Sequence, residues 1–106
     1  MIVLNTVNRS LEFLLGGAVA TNQLPFTVNY VNTTSEAQSH NNSANGISNN
    51  TTAVTILAAP RAGGKRSIQS LFIPNNDTAA VSVTVRLNDN GTLRNIIPSC
   101  LLSPND

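Results

Sequence analysis

Charged side chains are scarce in this chain of 106 residues. Only 10% of the residues are Asp, Glu, Lys or Arg, and the formal net charge is +1. A field this weak cannot hold a nucleic-acid backbone or an anionic membrane surface. We therefore expect neither nucleic acid nor membrane among the partners of the protein.

Cysteine and aromatic residues are also few. Cys100 is the single cysteine, so no internal disulfide can form. No His or Asp lies near it in the sequence, which favours a buried structural thiol over a nucleophile. The chain has three Phe, one Tyr and no Trp, barely enough aromatic material for a core. That shortage disfavours a carbohydrate site, which normally uses an exposed aromatic platform.

Long apolar runs are missing. No window reaches the roughly 18 apolar residues that a membrane helix needs. The N-terminal stretch "MIVLNTVNRSLEF" has a short apolar run with no basic residues before it, so we predict no signal peptide. The expectation is a soluble protein made in a cytoplasm.

Groups that carry catalytic or metal chemistry are scattered. The only histidine, His40, lies in a polar segment with no ligand partner beside it. The acidic residues show no pairing that suggests a general acid and base; they are Glu12, Glu36, Asp77, Asp89 and Asp106. We predict no enzymatic activity, no metal and no cofactor.

The residues that are abundant favour β structure. The chain contains 16 Asn, 11 Thr and 10 Ser, a mixture that suits strands joined by many turns and suits helices poorly. In "VSVTVRLNDNGT" (81–92), apolar and polar residues alternate and then run into Asn-Asp-Asn-Gly, which predicts a strand entering a hairpin. Similar strand candidates lie at 10–15, 26–31, 51–60, 67–73 and 92–102.

This spacing predicts one all-β domain spanning residues 1–106, an antiparallel β-sandwich of the jelly-roll-like or immunoglobulin-like kind. Residues 1–9 are expected to form an extended N-terminal arm. Residues 33–50 hold one Ile and no other large apolar group, so we predict a flexible, exposed Asn/Ser-rich loop there.

The hairpin turn at 88–91 has two interpretations. A two-residue Asn90-Gly91 turn would pair Val85 with Ile96 but would set Leu87 opposite Arg94. A three-residue loop with Gly91 in the left-handed conformation would pair Leu87 with Leu93, although Arg86 would then face Arg94. We favour the three-residue loop.

A small basic cluster lies in the connection "APRAGGKR" (59–66). Arg61, Lys65 and Arg66 together could meet an acidic surface on a protein partner. The alternative is a solvated loop without a binding role.

The stretches "RSLEFLLGGAVATNQLPFTVNYV" (9–31), "TTAVTILAAP" (51–60) and "KRSIQSLFIPNNDTAAVSVTVRLNDNGTLRNIIPSCLLSPND" (65–106) together form a pattern. The pattern resembles small β-sandwich virion proteins of tailed bacteriophages. The resemblance implies a non-enzymatic structural role in a virion, with copies that associate around a symmetry axis, often as trimers. Members of that family usually continue past the Leu-x-Pro turn into a further strand. This sequence stops at 103–106, so that strand is expected to be absent or to come from a neighbour.

The leading hypothesis is therefore a capsid decoration or cement protein that binds and stabilises the head shell. Its expected partners are copies of itself, as a homotrimer, and the major capsid protein or other virion proteins. A neck, tail or fibre-attachment component is the alternative, and a module that binds carbohydrate or the host surface comes third. The residues expected to contact partners are Ile2, Val3, Leu4, Arg61, Lys65 and Arg66.

Overall fold

The structure is a computed structural model that describes residues 2–33 and 39–104, with the backbone alone for residues 39 and 40. Within these ranges the chain forms eight strands and no helix. The strands are β1 (Ile2–Leu4), β2 (Arg9–Leu15), β3 (Pro25–Thr33), β4 (Ser39–Ile47), β5 (Val54–Leu57), β6 (Lys65–Phe72), β7 (Val81–Asp89) and β8 (Thr92–Leu102).

The eight strands form two antiparallel sheets of four. The first sheet has the order β1-β6-β3-β4 and the second has the order β5-β2-β7-β8. This arrangement confirms the predicted all-β antiparallel sandwich. Two pairings, β3 with β4 and β7 with β8, join strands that are consecutive in the chain, and the others join distant segments.

The core lies between the two sheets and takes side chains from both. Phe13 of β2 and Phe26 of β3 meet edge to face across it, with ring centroids 5.4 Å apart. Strand alternation explains the core on β7, where Val81, Val83 and Val85 are buried. The other buried apolar residues are Leu4, Leu11, Leu15, Leu24, Val28, Ile56, Leu57 and Ile68.

A β-bulge on β6 explains the mixed alternation of "SIQSLF". Asn29 lies opposite Ser70 and Tyr30 lies opposite Ile68, so Gln69 has no partner on β3. The extra residue shifts the side-chain alternation by one position. Ile68 and Leu71 can therefore both pack toward the core, and β6 lies between two strands as a central strand should.

The predicted flexible loop at 33–50 is wrong for most of its length. Residues 39–47 form β4, which pairs with β3 in continuous register from Pro25–Ile47 to Thr33–Ser39. Residues 34–38 lie outside the described residues. An edge strand needs little apolar bulk, because only one of its faces meets the core. Ala44 and Gly46 supply that face here, beside Val28 and Phe26 of β3.

The predicted extended arm at residues 1–9 is also wrong for residues 2–4. They form β1, which pairs with β6 from Ile2–Ile68 to Leu4–Arg66. Leu4 is fully buried in the core, and Ile2 packs against the core. Residues 2–4 of the N-terminal apolar run thus form an edge strand of the first sheet.

The β7–β8 turn is the two-residue form, so the three-residue loop that we favoured is wrong. Asp89 lies opposite Thr92 and Leu87 lies opposite Arg94. Both turn residues have positive φ, 53° at Asn90 and 91° at Gly91, the backbone of a type I′ turn. That turn matches the right-handed twist of the two strands, which outweighs the loss of a Leu87–Leu93 pair.

Two buried polar clusters hold the connection between β2 and β3. The Gln23 side chain accepts hydrogen bonds from the Ser48 hydroxyl (2.6 Å) and the Asn50 N–H (3.1 Å), and it donates to Asn50 Oδ1 (2.8 Å). On the other side, Asp77 accepts from the backbone N–H groups of residues 20–22, at 2.8–3.0 Å. Fully buried Asn75 donates to the carbonyls of Ala79 and Leu102.

Candidate functional site

Strand β8 carries the main apolar exposure in the described structure. Nine of its eleven residues are exposed, and the remaining two, Ile96 and Leu102, are partly buried. Leu93, Ile97 and Leu101 are 48%, 41% and 66% exposed. Leu93 and Leu101 lie opposite Asn88 and Ser82 on the outer face of the sheet, and we call these two side chains the β8 surface. Its partner strand β7 is buried on one face, so the exposure belongs to β8 and not to the sheet as a whole.

The two-residue turn decides which side chains of β8 face outward, because it sets Leu93 opposite Asn88, and two irregularities follow along the β7–β8 ladder. Arg86 lies opposite Asn95 but Val85 lies opposite Ile97, so Ile96 is an extra residue on β8. A second shift precedes Cys100, which lies opposite Val83, and Ser99 there has a φ of 42°. Each bulge changes which side chains face the core. The two shifts cancel, so Leu101 lies opposite Ser82 on the same outer face as Leu93, while Ile96 packs on the core and Ile97 lies opposite Val85.

The chemistry of β8 suits contact with a protein. Arg94 is its single charged residue, and Asn95, Ser99 and Thr92 provide neutral polar groups around the β8 surface. When a partner covers apolar side chains that are exposed on a strand, their removal from water favours association. Cys100 is also exposed, which contradicts the predicted buried structural thiol.

The predicted partner contacts at the N-terminus are in part buried. Leu4 is in the core and cannot reach a partner, so its assignment is wrong. Ile2 and Val3 are partly buried in β1, where they lie opposite Ile68 and Ser67. The signal that could have placed them is the uninterrupted apolar run Ile2–Leu4, which indicates a buried strand as readily as an arm.

The predicted basic cluster does not form one surface. Arg61 and Lys65 are exposed, but Arg66 is partly buried. The Arg66 guanidinium lies over the Tyr30 ring at 5.4 Å from its centroid, and Nη1 donates to the Ala58 carbonyl at 2.9 Å. These contacts hold Arg66 within the fold, so two cations at most remain for a partner.

The three acidic residues in the described part of the chain are engaged in structural contacts. Glu12 is buried and accepts a hydrogen bond from Arg86, and Asp89 pairs with Arg9 at 2.9 Å. The backbone N–H of Asn22, followed by those of Ala20, Thr21 and Thr78, lowers the pKa of Asp77 to about 2 against the opposing effect of burial.

No group of three His, Cys, Asp or Glu that could hold a metal lies within residues 2–33 and 39–104. His40 belongs to β4, and its backbone lies opposite Asn32 of β3. The side chain of His40 is outside the described part of the structure. Glu36 and Asp106 also lie outside it.

A second surface lies on the outer face of the other sheet. Its shallow groove is lined by Asn29, Asn41, Asn42, Ser43 and Gln69, which are all neutral and polar. Asn29 donates to Ser70 Oγ at 2.8 Å within this face. Such a lining offers hydrogen bonds without a charge or a large apolar contact, so the groove alone selects no ligand class.

Sequence reasoning missed the β8 surface. The three-residue loop that the sequence favoured would set Leu93 opposite Leu87 on the core side, whereas the two-residue turn sets Leu93 opposite Asn88 on the outer face. The signal that was present is the dipeptide Asn90-Gly91, which favours a two-residue type I′ turn.

Among the described residues, no helix is long and apolar enough to cross a membrane. Comparison of the chain with protein-family models, with curated proteins and with solved structures found no match.

Proposed function

We propose that this chain is a non-enzymatic structural protein of a tailed-bacteriophage virion, and that it decorates and stabilises the capsid. The observation that carries the proposal is the β8 surface, on which two large apolar side chains, Leu93 and Leu101, lie exposed on the outer face of one strand. The sequence resemblance to small β-sandwich virion proteins supplies the biological setting. In this proposal the partners are other copies of the chain and the major capsid protein.

The surface composition supports a structural role in a crowded lattice. With a net charge of +1, neighbouring copies can pack without neutralising a strong field. The neutral groove residues on the first sheet and the apolar side chains of β8 would then face different neighbours. Apolar anchors surrounded by neutral polar groups are typical of protein interfaces.

The test is to purify particles of the phage that encodes this chain and to measure its copy number by quantitative mass spectrometry. Hundreds of copies per particle support a place in the head lattice. A few copies to a few dozen would overturn capsid decoration in favour of a neck or tail component. Absence from purified particles would overturn the virion role altogether.

The role of the β8 surface is tested by adding recombinant protein to particles that lack it. We expect Leu101→Asp to weaken binding by about tenfold or more, because a carboxylate would be buried at the interface. Val7→Asp is the matched control, since Val7 is also an exposed apolar residue, at 52%, and lies in the β1–β2 turn. Equal binding by Leu101→Asp and wild type would remove β8 from the proposal.

A further inference from the structure

Among the described strands, four lie at sheet edges, and only one of them is a long, regular, uncharged edge. β1 and β5 have three and four residues, which is too short to support an extended ladder. β8 is long, but it carries two bulges, and it also contains a proline, Pro98, and a charged residue, Arg94. Short length, bulges, proline and charge are the features that prevent edge-to-edge pairing in natural sheets.

β4 has none of these protective features. Its nine residues, "SHNNSANGI", pair with β3 without a register shift, and they include no Pro, Lys, Arg, Asp or Glu. We define the β4 edge as the side of residues 41–47 that faces away from β3. Backbone N–H and C=O groups alternate along such an edge and can extend the sheet by one strand.

We propose that the β4 edge binds the β4 edge of a second copy of this chain. An antiparallel pair with full overlap of Ser39–Ile47 places the two Ser43 residues opposite each other, and it sets Asn41 opposite Asn45. The two four-stranded sheets then join into one continuous eight-stranded sheet. This inference does not depend on the virion role.

Charge and side-chain size favour a second copy as the occupant. Because residues 41–47 carry no charge, self-pairing brings no like charges together, and the Asn and Ser side chains can donate to and accept from each other. The small residues Ala44 and Gly46 occupy the inward face, beside Val28 and Phe26 of β3. Lys65 of β6 lies opposite Thr33 of β3, and Thr33 lies opposite Ser39 of β4. Lys65 is therefore near the Ser39 end of β4, and the two-fold arrangement places the lysines of the two copies at opposite ends of the joined strands.

The first experiment uses opposite charges at the centre of the proposed pair. Wild type should form a dimer in sedimentation equilibrium, and Ser43→Lys or Ser43→Glu alone should each raise the dimer Kd by about tenfold or more. A mixture of the two variants should recover a heterodimer. Thr6→Lys is the control, because Thr6 is exposed in the β1–β2 turn and β1 is the opposite edge of the first sheet, so this variant should dimerise as wild type does.

The second experiment tests the register by disulfide formation. In a Cys100→Ser background, Ser43→Cys should cross-link on oxidation, because opposed Cα atoms in an antiparallel pair lie about 4.5–5.5 Å apart. Asn45→Cys should not, since the two copies of that residue would lie about 13 Å apart along the strands. A protein that is monomeric at all concentrations, or an oligomer that Ser43→Lys leaves intact, would overturn the proposal.

Discussion

Glu12 of β2 and Arg86 of β7 form an ion pair across the second sheet, with 2.6 Å between Glu12 Oε1 and Arg86 Nε. The two residues are directly opposite each other in the β2–β7 ladder. Their side chains are only 10% and 21% exposed, so the pair is largely removed from water. The polar face of β7 therefore has a structural role, in which a charge on one central strand compensates a charge on the other.

Breaking this pair on one side should destabilise the fold. We expect Arg86→Met to lower the free energy of unfolding by about 2 kcal/mol, because the Glu12 carboxylate would remain largely buried without a cation. The double variant Glu12→Met/Arg86→Met should recover most of that loss. Urea unfolding of wild type, Glu12→Met, Arg86→Met and the double variant measures this, and single-variant losses that simply add in the double variant would contradict the coupling.

Acid stability should depend on Asp77. Its pKa is lowered from 3.8 to about 2 in the folded protein, so its contribution to stability is fully present above pH 4 and is lost as the pH falls through 2. Asp77→Asn should flatten the dependence of unfolding free energy on pH between about 4 and 2. Thr78→Ala is the control, because it keeps the carboxylate and its backbone donors. An unchanged slope in Asp77→Asn would contradict the assignment.

Gly46 has no room for a side chain. A Cβ at this position would lie 2.6 Å from Cε2 and 2.9 Å from Cζ of Phe26, whose ring is packed against Phe13. We expect Gly46→Ala to lower the free energy of unfolding by about 1–3 kcal/mol. Gly17→Ala is the matched control, since nothing lies within 4 Å of a Cβ there, and thermal unfolding should show little change for it. Equal stability of both variants would argue against this packing of β4.

Substitution of Leu4 tests whether the N-terminal residues form a core strand or a free arm. Because the side chain is fully buried, Leu4→Ala should cost about 3 kcal/mol of unfolding free energy. Val7→Ala, at a 52% exposed position, should change it by less than about 0.5 kcal/mol. Chemical denaturation of both variants tests this. An unfolding free energy that Leu4→Ala leaves unchanged would support the interpretation of the N-terminus as an extended arm.

Local patterns in the sequence predicted most of the strands but not their irregularities. The alternation at Val81, Val83 and Val85 and the positions of β2, β3 and β5 follow from residue spacing, and the structure confirms them. β4 could not be predicted in that way. It is held by backbone pairing to β3 and by two small inward residues, and neither gives an apolar period in the sequence.

The candidate site depended even more on tertiary context. Leu93 and Leu101 look like core residues in the sequence, and they are exposed because the two-residue turn sets Leu93 opposite Asn88 and the two later register shifts cancel. Leu4 looks accessible and is buried because β6 happens to lie beside it. Exposure is decided by which strands become neighbours, and no local pattern contains that information.

Because of the strand order, the chain cannot be divided into two parts that each contain a complete sheet. A cut between β5 and β6 would leave β1 without the strand that joins it to β3, and it would separate β2 from β7, where Phe13 lies opposite Val85. Neither half would contain a complete sheet. Each sheet therefore needs strands from both halves of the chain, and we expect slow folding because long-range pairing dominates. A truncated form of this chain would therefore expose strand edges that are paired in the complete fold.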